Sequence, residues 1–134
     1  MTLTAVASVV HPATGTDQAT GTDLATGAWR PVCPLDALEP LHAEAALVDQ
    51  EQVALVRLPS DQVMAVSHWD PYAKAYVMAR GIVGSKAGRP TLASPLHKQV
   101  YDLATGACLT DPTLELVTYP VRITDRMVEV RRAA

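Results

Sequence analysis

The sequence predicts an all-β fold: a small antiparallel sandwich or barrel of short strands behind a disordered N-terminal tail. Three observations carry this. Apolar residues recur mostly with the period of two that suits a half-buried strand. No long amphipathic helix is present. Ten prolines and seven glycines among 134 residues supply the tight turns that many short strands require.

Taken in order, residues 1–28 form the tail. Ala13-Thr14-Gly15-Thr16-Asp17 and Ala19-Thr20-Gly21-Thr22-Asp23 repeat at a spacing of six, Ala25-Thr26-Gly27 follows, and almost nothing large and apolar is there to bury. Such a segment cannot offset its ordering entropy. The ordered domain, residues 29–134, begins at Trp29. A short helical turn suits Pro34 to Leu41. Gln52 to Leu58 and Gln62 to Ser67 are β-rich runs joined by Pro59-Ser60-Asp61, which reads as a hairpin turn. Near the C-terminus Val117, Tyr119, Val121 and Ile123 alternate with Thr118, Pro120 and Arg122, which gives one apolar face. Pro120 cannot donate to a ladder, so it points to an edge or a bulge. Thr124-Asp125 then turns the chain into Met127 to Arg131.

Composition narrows the class. With 49% hydrophobic residues, only 4% aromatic ones and no Phe, the core is built from Val, Leu, Ala and Ile. The length suits one domain. Cys33 and Cys108 lie far apart and match no metal-ligand spacing, so they read as small buried hydrophobes rather than a disulfide. No run is long enough for a membrane helix, and no Lys or Arg precedes Arg30, which argues against a signal peptide. The expected location is the cytoplasm. A net charge of −3 without aromatic–basic interleaving argues against nucleic acid. There is no Gly-rich phosphate loop, no nucleophile elbow and no cysteine with an activating partner.

The informative stretches are two loops, Ser67-His68-Trp69-Asp70-Pro71-Tyr72 and Ser94-Pro95-Leu96-His97-Lys98-Gln99. They look like a Rieske iron–sulfur site with its ligands replaced. In such a site one loop supplies Cys-x-His and the other Cys-x-x-His, two thiolates for one iron and two imidazoles for the other. Asp70-Pro71-Tyr72 stands where Cys-Pro-His would be, and Ser94-Pro95-Leu96-His97 where Cys-Pro-Leu-His would be. Of the four ligand positions Asp70, Tyr72, Ser94 and His97, only His97 keeps its ligand type. Arg80-Gly81-Ile82-Val83-Gly84 and Tyr101-Asp102-Leu103-Ala104-Thr105-Gly106 continue the likeness.

Together with Trp29-Arg30-Pro31-Val32-Cys33, Gln52 to Arg57, Thr105-Gly106-Ala107-Cys108-Leu109 and Tyr119-Pro120-Val121-Arg122, these strings resemble the small subunit of assimilatory NAD(P)H-dependent nitrite reductase. That family is a Rieske-like protein without a cluster. His68, where the family has Asn, and Tyr72, where it more usually has Phe, depart from the pattern. The resemblance implies a non-catalytic subunit, with no cofactor of its own, in nitrate assimilation and nitrogen metabolism. It also implies a large-subunit partner carrying FAD, sirohaem and a [4Fe–4S] cluster, which reduces nitrite to ammonium. A free-standing cluster-less Rieske-like binding module is the alternative.

Chemically, Asp70 and Ser94 are hard oxygen donors in place of polarizable thiolates, and Tyr72 keeps its proton at neutral pH, so a [2Fe–2S] cluster has no normal ligand set. The loops keep a packing role in this reading. Asp70 accepts from the N–H groups of its own turn, while Tyr72 and His97 fill the space left by the cluster. A lesser alternative is a mononuclear non-haem iron on His68, Asp70 and His97, since His-x-Asp on a strand places both side chains on one side. Finally, no Asp or Glu lies between Pro71 and Tyr101, yet Lys74, Arg80, Lys86, Arg89 and Lys98 do, in a chain of net charge −3. This basic segment is the expected partner-binding surface.

Overall fold

The computed structural model describes residues 28–132. Apart from Ala28, the tail assigned to residues 1–28 lies outside the described residues. The strands are β1 (Arg30–Pro34), β2 (Ala43–Val48), β3 (Glu51–Arg57), β4 (Val63–Ser67), β5 (Trp69–Asp70), β6 (Ala75–Tyr76), β7 (Ile82–Lys86), β8 (Arg89–Ala93), β9 (Val100–Asp102), β10 (Thr118–Tyr119), β11 (Val121–Thr124) and β12 (Met127–Val130). They form sheets ordered β1-β12-β11, β10-β4-β3-β2 and β7-β8-β9, with β5-β6 as a separate hairpin. The fold is all-β, as the turn-rich sequence predicts. The turn foreseen around Pro34 to Leu41 is a short 3-10 turn, Leu35–Ala37.

Three hairpins close through two-residue loops with positive φ at both positions: Asp49-Gln50, Ala87-Gly88 and Asp125-Arg126. That backbone twist matches the right-handed twist of paired strands, which is why such short loops suffice.

The core has two halves separated by the β10-β4-β3-β2 sheet. Val53 and Leu55 of β3 pack with Val32, Leu38, Val48 and Val128. Ala54 and Val56 point the other way, to Met78, Leu92, Tyr101 and Leu103. β3 is therefore buried on both faces, and its unbroken Val-Ala-Leu-Val run is what a central strand needs. Both cysteines are free and buried, Cys33 in one half and Cys108 in the other.

The C-terminal run departs from expectation. Thr118–Tyr119 pairs with β4, whereas Val121–Thr124 pairs with β12, so the chain leaves one sheet for another at Pro120. Pro120 marks the crossing between β10 and β11, each the edge strand of its sheet, so the expected edge position holds while the single continuous strand does not. For the same reason the four alternating residues do not share a buried face: Tyr119 is buried while Val117 and Ile123 are exposed.

Candidate functional site at the loop tips

Asp70 ends β5, and residues 71–74 turn the chain back into β6. Ser94 follows β8, and residues 94–99 lead into β9. Gly81 helps set the second loop, because a Cβ there would stand 2.2 Å from the Ala93 carbonyl oxygen, so only glycine lets the backbones lie this close. Each loop starts the same way. The Asp70 carbonyl accepts from Lys74 N–H at 2.7 Å and the Ser94 carbonyl from Lys98 N–H at 3.1 Å. Both lysines take up left-handed backbone, φ 58°.

The side chains at the heads of the turns face inward and meet. The Ser94 hydroxyl donates to Asp70 Oδ2 at 2.5 Å, and the Tyr101 hydroxyl to Asp70 Oδ1 at 3.2 Å. Tyr72 and Ala73 N–H also donate to Oδ1, at 2.9 and 3.3 Å. Asp70 is wholly buried and Ser94 nearly so. A carboxylate in that position is tolerable because four donors converge on it. The Tyr101 hydroxyl holds its proton well above the ordinary range, through burial first and the Asp70 charge second.

Tyr72 does not fill this interior. The residue is 47% exposed, and its ring meets the exposed His97 edge-on, with centroids 4.9 Å apart. The reason is local: the turn aims Tyr72 N–H at Asp70, which throws the side chain outward, and Tyr101 occupies the inside instead. Nor do His68, Asp70 and His97 gather as an iron triad. His68 Nδ1 accepts from Ala79 N–H at 3.0 Å, Asp70 is engaged below the loops, and His97 lies on the surface. Among the described residues no His, Cys, Asp and Glu side chains group as a metal site. His68 lines an open groove of about 1060 Å³ with Leu41, Arg80 and Ile82. Burial, and then the Arg80 charge, hold its imidazole below the usual range.

The five basic residues are all exposed and sit on different elements. Lys74 and Lys98 sit on the two loop tips, and Arg80 borders the groove. Lys86 and Arg89 face each other at the β7–β8 hairpin end. Arg89 is already engaged, its Nε 2.5 Å from Asp102 Oδ2. Tyr101 and Asp102 are the residues that sequence reasoning missed as parts of this site. A signal existed for Asp102, because Asp102-x-x-x-Gly106 repeats the spacing of Asp70-x-x-x-Lys74.

Comparison with known proteins gives the family. Residues 28–131 match the family model described as a Rieske-like [2Fe-2S] domain. The NADH nitrite reductase small subunit of Escherichia coli (strain K12) is 36% identical over 104 residues, 77% of this chain and 96% of that one. The NMR structure of the E. coli protein NirD has 34% identity and a TM-score of 0.75, and the match covers 81% of this chain and 100% of that one. A stretch of the Klebsiella oxytoca NAD(P)H nitrite reductase large subunit is 32% identical over 102 residues, 76% of this chain but 11% of that much longer one.

The model's description implies a [2Fe–2S] cluster, and the residues present do not fit one. A carboxylate, a hydroxyl, a phenol and one imidazole stand at the positions the resemblance gives to two thiolates and two imidazoles. The two that would replace the thiolates are also hydrogen-bonded to each other. With relatives at this identity over nearly their full length and the same fold, the chain belongs to the nitrite reductase small-subunit family, on a Rieske-like domain.

Proposed function

We propose that this chain is a cluster-free, non-catalytic small subunit that docks on a nitrite reductase large subunit and supports NAD(P)H-dependent reduction of nitrite to ammonium. The single observation that carries the cluster-free reading is the buried Asp70–Ser94 hydrogen bond. It ties the two loops together where a cluster would, and leaves neither oxygen disposed to hold iron. The Klebsiella match supports the partner, since a similar segment there is part of the large chain itself. FAD, sirohaem and a [4Fe–4S] cluster belong to the large subunit in this reading, and the complex works in nitrate assimilation in the cytoplasm. Among the described residues no helix is long and apolar enough to cross a membrane.

Anaerobic co-expression with the large subunit of the same organism tests it. The expected result is that the two chains co-purify and that the isolated small chain is colourless and iron-free. Near-stoichiometric iron with visible absorbance in the small chain would overturn the cluster-free reading. Failure of the chains to associate would overturn the subunit reading.

A further inference from the structure

Among the described residues nine large apolar side chains are exposed, and four of them, Trp69, Tyr72, Tyr76 and Leu96, lie on the two loops just described. They fall into two groups on neighbouring segments. Trp69 and Tyr76 are cross-strand partners on β5 and β6 with rings 4.9 Å apart, Tyr72 sits on the turn between those strands, and His97 carries the contact over to the Leu96 loop. A cluster this rich in Trp and Tyr is costly to leave in water and has the composition of an interface centre.

Two further features distinguish it from scattered surface residues. The loops beneath are fixed by Asp70, Ser94 and Tyr101, so little ordering entropy remains to be lost on binding. The rim carries Lys74 and Lys98, while the only acid on either loop, Asp70, is buried. The other cations are set apart, Arg80 beside the groove and Arg89 held by Asp102.

We infer that this aromatic tip, flanked by Lys74 and Lys98, is the surface that docks on the large subunit, in an apolar depression rimmed by carboxylates. The inference rests on the subunit reading above and narrows the basic segment to its two loop-tip lysines. The apolar centre supplies affinity, and the lysines supply steering and register.

The test is titration of the purified large subunit with the full small chain at 0.02 M and 0.15 M salt. Tyr72→Ala with Leu96→Ala weakens binding by at least about 10-fold at both salt concentrations. Lys74→Glu with Lys98→Glu weakens it by about 10-fold at low salt and by less at high salt, where the Debye length is about 8 Å. Ile123→Ser, an exposed apolar change on the distant β11, leaves affinity unchanged. Since all five side chains are exposed, thermal melts of the variants stay near wild type and exclude misfolding as the cause. Wild-type affinity in both double variants would overturn the tip while the subunit reading stands. No binding by the wild-type chain would overturn both. A wild-type dimer dissolved by Tyr72→Ala would assign the surface to a second copy and overturn the inference.

Discussion

The turns headed by Asp70 and Asp102 share one backbone design and a buried aspartate, and meet different partners. In each, Oδ1 accepts from the second and third N–H that follow: Tyr72 and Ala73 at 2.9 and 3.3 Å, Ala104 and Thr105 at 2.8 and 3.2 Å. In each, the carbonyl accepts from the fourth N–H on, at 2.7 Å, and that fifth residue has positive φ. The further partners differ: the Tyr101 hydroxyl also reaches Asp70 Oδ1, and different groups meet Oδ2. Asp70 faces the buried Ser94 hydroxyl, whereas Asp102 faces Arg89, whose side chain is 54% exposed. The same local motif thus becomes a buried cross-link between two loops in one place and, in the other, an ion pair from a buried aspartate to an exposed arginine. The outer partner, not the turn, decides what the aspartate contributes.

The comparison is most exposed to failure at the aspartate itself. Asp70→Ala removes the partner of the buried Ser94 and Tyr101 hydroxyls and of two half-buried N–H groups, and should cost at least about 3 kcal/mol in a thermal or urea melt. Asp102→Ala likewise frees the Ala104 and Thr105 N–H groups, but its remaining partner is an arginine that can turn to water, so it should cost less. Equal losses would break the distinction.

The fifth positions sharpen it. At Gly106, φ 83°, a Cβ would stand 2.1 Å from the Leu116 carbonyl, so Gly106→Ala should destabilise by about 2 kcal/mol or more. At the exposed Lys74, relief of left-handed strain and the greater freedom of unfolded glycine offset each other. Lys74→Gly should therefore move stability by less than about 0.5 kcal/mol.

Tyr101→Phe removes one hydrogen bond and should cost about 1 kcal/mol. Tyr72→Phe, on the outside, should leave the melting point unchanged.

Acid separates the regions by pH window. His68, two residues before the Asp70 turn, has a folded pKa below its unfolded value of about 6.5. The unfolded chain takes up its proton first, so His68 lowers stability as pH falls from about 6.5 through its folded pKa. Asp102 is held below the usual carboxylate range, chiefly by the Arg89 hydrogen bond, so its contribution persists until pH falls below about 4. A melt series from pH 7.5 to 5 should decline in the wild type and flatten in His68→Asn, which keeps an acceptor for Ala79 N–H. Arg89→Ala should have a modest effect, under about 1 kcal/mol and fading with salt.

The legible parts of the molecule were those whose cause is local. The runs around β3 and β4, the Pro59-Ser60-Asp61 turn and the two buried cysteines follow from periodicity and residue type. The loops bearing Asp70 and Ser94 resemble a modified ligand set in the sequence alone. What binds them is not legible there, because Tyr101 lies 31 residues from Asp70 and nothing in its own neighbourhood marks its hydroxyl as a partner. Tyr72 departs from expectation for a related reason: residue type suggests burial, while the direction of one N–H decides exposure. The switch of sheets at Pro120 needed knowledge of both partner strands.

The pairing of Arg30 with Val130 joins the two ends of the domain across about 100 residues. The β2–β3–β4 meander is built from neighbours and can form early, but the sheet that covers its outer face waits for the final strand. During synthesis Val32, Leu38, Val53 and Leu55 therefore stay uncovered until β12 has left the ribosome. The nascent chain is most in need of chaperone protection in that interval, and a stop codon anywhere before Met127 leaves this half of the core open to water.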